Sequence, residues 1–112
     1  QNNGRCLTSL NSSKNGGEIK ILDCDDNNTN QKWIYNKYDK KINIHKKNCL
    51  DTPNPNMVYT WNCMKNNNNQ VWEYKPEISQ IKNKKGKCLE NNDTPIMKIC
   101  DVNNEKQKWN LV

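Results

Sequence analysis

Six cysteines, one histidine, four tryptophans and twelve carboxylate residues are the side chains in this 112-residue sequence with chemistry to offer. Cys6, Cys24, Cys49, Cys63, Cys88 and Cys100 include no Cys-x-x-Cys pair, and His45 is the only histidine. Tetrahedral zinc needs four clustered nitrogen or sulfur ligands, so no metal site is expected. An even cysteine count in a short chain reads as a disulfide framework, made in an oxidising compartment. With every cysteine so committed, neither a Cys–His nor a Ser–His–Asp set can be assembled. The acidic residues sit in polar stretches, without the apolar neighbours that raise a glycosidase acid's pKa. The residues predict no catalysis by this domain and no cofactor.

The tryptophans are more informative. Gln31-Lys32-Trp33, Gln70-Val71-Trp72 and Gln107-Lys108-Trp109 each follow a cysteine (Cys24, Cys63, Cys100) by the same interval, and Cys-Leu opens each unit at Cys6-Leu7, Cys49-Leu50 and Cys88-Leu89. An aromatic or apolar residue stands two places after each Trp: Tyr35, Tyr74 and Leu111. Four features in register three times over define an internal repeat, with units of about 1–40, 41–79 and 80–112 in one domain. Of the fifteen connectivities open to six cysteines, pairing within each unit respects that symmetry: Cys6–Cys24, Cys49–Cys63 and Cys88–Cys100.

Asn, Gly and Pro interrupt the chain every few residues, and no stretch holds a helical apolar period. Ile19–Ile21, Ile42–Ile44 and Met57–Trp61 alternate with period two and predict short strands, joined by turn-rich segments at Asp25–Asn30 and Lys65–Asn69. Only 32% of residues are hydrophobic and Phe is absent, so one unit cannot bury an apolar side alone. Three stacked units can, with Leu7, Leu50, Leu89, Trp33, Trp72 and Trp109 meeting in a shared centre. Three disulfides, each stabilising by about 3 kcal/mol on the chain-entropy model, offset the thin core. No apolar run approaches the roughly 20 residues of a membrane span. The net charge of +6 permits acidic partners without requiring them.

With the Cys-Leu, Cys and Gln-x-Trp elements aligned, the chain resembles the ricin B-type lectin family over nearly its whole length. The resemblance implies an all-β fold, a β-trefoil whose six-stranded barrel is closed on one side by three hairpins. It also implies binding of galactose- or GalNAc-bearing glycans, with no nucleic acid partner and no direct membrane insertion. The ends of the sequence read as trimmed outer strands, of a piece of a longer protein or of a compact variant that closes the barrel imperfectly, secreted, at the cell surface or in the secretory-pathway lumen.

Family sites pair a carboxylate two residues after the first Cys with an aromatic two before the second, a polar residue two places earlier, and an Asn before Gln-x-Trp. Galactose presents an apolar face beside vicinal hydroxyls, so a π surface and polar partners are needed together. The second repeat carries Asp51, Tyr59, Trp61, Asn69 and Gln70 at these positions and is the expected carbohydrate site. Tyr59 stands where a polar side chain is common, fit for a hydroxyl contact or extra stacking. Period two puts Tyr59 and Trp61 on one strand face, opposite Val58 and Thr60. In the first repeat Thr8 and Leu22 replace the carboxylate and the aromatic, although Asn30 remains; in the third, Glu90, Lys98 and Lys106 stand at the three places. One working site is expected.

Plainer readings stand beside these. Asp51 could cap a turn before Thr52-Pro53, Trp61 could contact a protein, and the three Gln side chains could brace backbone groups. Lysines between repeats (Lys37, Lys40, Lys41, Lys46, Lys47; Lys82, Lys84, Lys85, Lys87) read as a solvated connector more readily than as a heparin surface. Sequons at Asn11, Asn27 and Asn92 carry little weight, because this Asn-rich composition gives about two by chance. The alternative functions are a protein-interaction trefoil that has lost its sugars, and the lectin appendage of a GalNAc-transferase or glycosidase.

Overall fold

The computed structural model describes residues 1–11 and 14–111; Ser12 and Ser13 of the Asn11 sequon lie outside the described residues. Among those described, ten strands run in order: β1 (Arg5–Ser9), β2 (Ile19–Asp23), β3 (Ile34–Asn36), β4 (Lys41–Ile44), β5 (Asn48–Asn54), β6 (Met57–Asn62), β7 (Trp72–Lys75), β8 (Gln80–Asn83), β9 (Lys87–Asn92) and β10 (Thr94–Ile99). All pairings are antiparallel, in sheets β1-β2, β3-β4-β5-β6 and β7-β8-β9-β10. The three alternating segments fall on β2, β4 and β6. Ile19, Ile21, Ile42, Ile44, Val58 and Thr60 turn inward while their neighbours face out. This is the β-trefoil, and the disulfides pair within each repeat: Cys6–Cys24, Cys49–Cys63 and Cys88–Cys100.

Each turn-rich segment ends in a 3-10 turn, at Thr29–Gln31, Asn68–Gln70 and Glu105–Gln107. Asn28, Asn67 and Asn104 cap these turns, each side-chain oxygen accepting the backbone N–H two residues on. The turn delivers Gln-x-Trp to the core. Each indole Nε1 then donates to the carbonyl of the Cys-Leu leucine: Trp33 to Leu7 (3.0 Å), Trp72 to Leu50 (2.9 Å) and Trp109 to Leu89 (2.9 Å).

Neighbouring repeats are latched by the residue two places after Trp. The Tyr35 hydroxyl donates to Trp72 O and the Tyr74 hydroxyl to Trp109 O, both at 3.1 Å. The backbone N–H groups of Trp72 and Trp109 donate to Lys40 O and Ser79 O, both at 2.7 Å. Lys40 and Ser79 hold left-handed φ values of 59° and 58°, which turn the chain toward the next repeat. Leu111 has no hydroxyl to make the third latch.

The core gathers Leu7, Leu50, Leu89, Trp72 and Trp109 as expected, but Trp33 is only partly buried against it. Trp33 receives neither latch among the described residues. Beside it opens a cleft of about 360 Å³, lined by Leu7, Ile42, Ile81, Leu89 and Leu111 among others. Gln1 and Asn110 meet at its rim, where Asn110 N–H donates to Gln1 O at 2.8 Å and Gln1 N donates to Asn110 O at 3.0 Å.

This asymmetry sets the energetics. Trp72→Ala should lower the unfolding free energy by about 3–5 kcal/mol, the usual cost of deleting a fully buried aromatic. Trp33→Ala should cost clearly less, as read from urea unfolding midpoints of the two variants.

Candidate functional site

The β5–β6 hairpin assembles most of the predicted set. In its register Asp51 lies opposite Tyr59, and Cys49 opposite Trp61. Residues two apart on a strand share a face, so the carboxylate and both rings stand together. The Tyr59 and Trp61 rings are 5.5 Å apart and tilted by 32°, forming a continuous aromatic surface. Neither is fully buried, whereas Val58 and Thr60 between and beside them are.

Gln70 organises the floor. Its Nε2 donates to Asp51 Oδ2 (3.1 Å) and to Asn62 O (2.8 Å), and its Oε1 accepts from Met64 N–H (2.9 Å). Fully buried and with both amide hydrogens engaged, Gln70 bears on the site by holding Asp51. Asn69 is half-buried in the 3-10 turn, where its backbone N–H donates to Asn67 Oδ1 at 3.0 Å. Its side-chain amide has no hydrogen-bond partner among the described residues.

Asp51 carries the main electrostatic feature. The residue is 3% exposed, and Oδ1 has no hydrogen-bond partner among the described residues. Burial pushes the carboxyl above the usual aspartate range, and the Gln70 amide offsets this only in part. The Tyr59 hydroxyl is pushed up too, first by burial and then by the Asp51 charge. An Asp that served to cap a turn would bond nearby backbone N–H groups; among the described residues, Asp51's carboxylate accepts only from Gln70.

The other two repeats place the same Gln differently. Gln31 Nε2 donates to the Thr8 hydroxyl (3.0 Å), and Leu22, partly exposed, stands where Trp61 does. Asn30 Oδ1 is met by His45 Nε2 at 3.0 Å. In the third repeat Glu90 is satisfied: Oε1 accepts from Asn104 Nδ2 (2.9 Å) and Gln107 Nε2 (3.1 Å), and Oε2 from Asn92 Nδ2. One added methylene lets Glu90 reach the capping Asn104. The shorter Asp51 makes no such bond to Asn67, so its buried Oδ1 stays without a donor. Lys98, exposed, offers no stacking face.

Sequence reasoning passed over this contrast at Asn67 and Asn104, and also Asn15 and Gly16, which lie beside β6 although they are 40 or more residues away in the chain. The caps were visible three residues before each Gln; the contact from residues 15 and 16 had no local signal. The apolar cleft near Trp33 contains none of Asp51, Tyr59, Trp61 or Asn69. Lys40, Lys82 and Lys84 line a separate concavity of about 250 Å³ together with Glu73.

The pattern of the ricin-type β-trefoil lectin domain matches residues 1–109. Among solved structures, the agglutinin from Abrus precatorius superimposes with a TM-score of 0.83 at 25% identity, covering 97% of this chain and 44% of its own. A structure of GalNAc-T7 with UDP, GalNAc and Mn2+ gives 0.82 at 23% identity, with 97% of this chain and 20% of that one covered. The hemolytic lectin CEL-III gives 0.74 at 23% identity, with coverage of 97% and 28%. This chain thus spans less than half the length of each neighbour, and the two below 25% identity speak to the fold alone. No curated protein matches the chain.

The raised Asp51 pKa has a consequence for stability. Between the unfolded and the higher folded value the native state binds the extra proton, so stability rises as pH falls through that window and is lower above it. Asp51→Asn keeps an acceptor for Gln70 and removes the buried charge. It should be at least as stable as the parent at pH 7 and lose that pH dependence, as read from urea midpoints across pH 4–7.

Proposed function

This chain belongs to the ricin-type β-trefoil lectin domain family, a non-catalytic carbohydrate-binding module, and on that premise we propose that it recognises galactose- or GalNAc-type glycans through one site in the second repeat. The observation that carries this reading is the unpartnered Oδ1 of Asp51 beside the Tyr59–Trp61 surface. A buried carboxylate oxygen without a donor is costly, and a sugar hydroxyl is a donor of the right kind. Trp61 takes the apolar C–H face of the ring, Asn69 bonds a further hydroxyl, and Gln70 holds the carboxylate in aim. Tyr59, directly across from Asp51, turns aside to admit the hydroxyl and packs against the sugar or bonds an outer hydroxyl.

One shallow site binds weakly, at roughly millimolar to tens of micromolar, or about −4 to −6 kcal/mol. Clustered glycans or tandem modules would raise the avidity. We place the domain in a secreted or cell-surface protein, in line with its three disulfides. Any catalytic domain belongs to a parent protein, as an appendage reading of the module requires. A second reading, a trefoil that binds protein, draws on the two repeats that lack the full set.

Titration with galactose and GalNAc should shift the Trp61 indole resonance, and Trp61→Ala should weaken binding at least tenfold. Affinity should also fall on mild acidification, at a higher pH than for an unperturbed aspartate, because protonation removes the charge that strengthens the acceptor. Silence of Trp61 toward both sugars, with a protein co-purifying instead, would establish the second reading.

A further inference from the structure

The three hairpin tips each reach the outer strand of another repeat at one equivalent position, three residues before the second half-cystine. Met97 N–H donates to Pro55 O (2.9 Å), and Ile21 N–H to Asp93 O (3.1 Å). Gly16 and Gly17 N–H donate to Thr60 O (2.8 and 3.2 Å), and Thr60 N–H returns to Gly17 O (3.1 Å). The tips differ greatly in length. Residues 55–56 join β5 to β6 and Asp93 alone joins β9 to β10, whereas residues 10–18 join β1 to β2.

The added length is directed at β6, the edge strand that carries Trp61. Asn15 Oδ1 accepts from Asn62 N–H at 2.8 Å, across 47 positions of sequence. Lys14 O accepts from the Thr60 hydroxyl at 3.4 Å. Both neighbours of Trp61 are therefore held by the first repeat. Gly16, at φ +76°, faces the ring edge: a Cβ added there would stand 3.8 Å from Trp61 Cζ3, at ordinary van der Waals distance. Gly17 admits no side chain, since its Cβ would fall 2.2 Å from Asn11 O and 2.4 Å from Thr60 Oγ1. Equivalent second contacts are missing at Asp23 and Ile99, the counterparts of Asn62 among the described residues. The one elaborated hairpin meets the one aromatic platform.

We propose that Asn15, Gly16 and Gly17 are positioning residues for Trp61, so that the first repeat, without a usable sugar set of its own, builds a wall of the second repeat's site. The proposal rests on reading Trp61 as the sugar platform. An indole on an edge strand is free to change rotamer unless its backbone and one ring edge are held, and a stacking surface gains affinity when it is ordered before the ligand arrives.

The test compares the whole chain with Asn15→Ala and Asn15→Asp, by the Trp61 indole resonance without ligand, galactose and GalNAc titration, and thermal unfolding. Asn15→Ala should move the resonance and weaken binding about two- to tenfold, the worth of one hydrogen bond. Asn15→Asp keeps an acceptor and should restore both. If Asn15→Ala lowers the melting temperature but leaves the resonance and the affinity unchanged, the role is merely structural and the proposal falls. If Asn15→Ala does not fold, Asn15→Gln, which moves the acceptor out by one methylene, is read in the same way. A parent that binds neither sugar overturns the sugar reading, whereas a ligand-free shift of Trp61 in Asn15→Ala still upholds the positioning.

Discussion

The side-chain amide of each Gln-x-Trp glutamine ties its repeat together. Its Oε1 accepts the N–H just after the second half-cystine, at Asp25, Met64 or Asp101. Its Nε2 donates to the carbonyl just before that cysteine, at Asp23, Asn62 or Ile99. The remaining amide hydrogen goes to the residue two places after the first half-cystine, at Thr8, Asp51 or Glu90. A buried amide left unsatisfied costs about 1–3 kcal/mol for each group. The equal Cys-to-Gln spacing in the three repeats follows from that geometry. Disulfide, 3-10 turn and indole anchor all meet at this amide.

Because the glutamine always presents one hydrogen to the same place, that place decides what each repeat can do. A hydroxyl at Thr8 gives a neutral pair. Glu90 reaches three amides and is satisfied. Asp51 stops one methylene short, and a carboxylate oxygen stays buried and open. That buried, unpartnered oxygen is a local departure from good packing in the hairpin that carries the proposed site. The inter-repeat latches at Tyr35 and Tyr74 and the disulfides support the frame around it.

Much of this was legible in the residues. The threefold register of Cys-Leu, Cys and Gln-x-Trp specified the repeat and the pairing of the cysteines, and the family resemblance it carries implied the trefoil. Period two in Met57–Trp61 put Tyr59 and Trp61 on the outer face. The same symmetry misjudged Trp33, because equal motifs led to an expectation of equal burial. Its exposure depends on which neighbour supplies a latch, and that is a contact between repeats. Gln70, expected among the sugar-contacting residues, is fully buried and bonds Asp51, which makes it a brace.

The sequence by itself determined the repeat, the fold and the face on which the aromatic pair stands, because hydrogen-bond geometry and strand pleat act over a few residues and leave a periodic trace. Only the tertiary structure decided that Glu90 is satisfied while Asp51 is not, and that residues 15–17 dock on Thr60 and Asn62, the two neighbours of Trp61. Those outcomes turn on one methylene of reach and on a loop docking some 45 positions away, and neither distance is written in any local pattern.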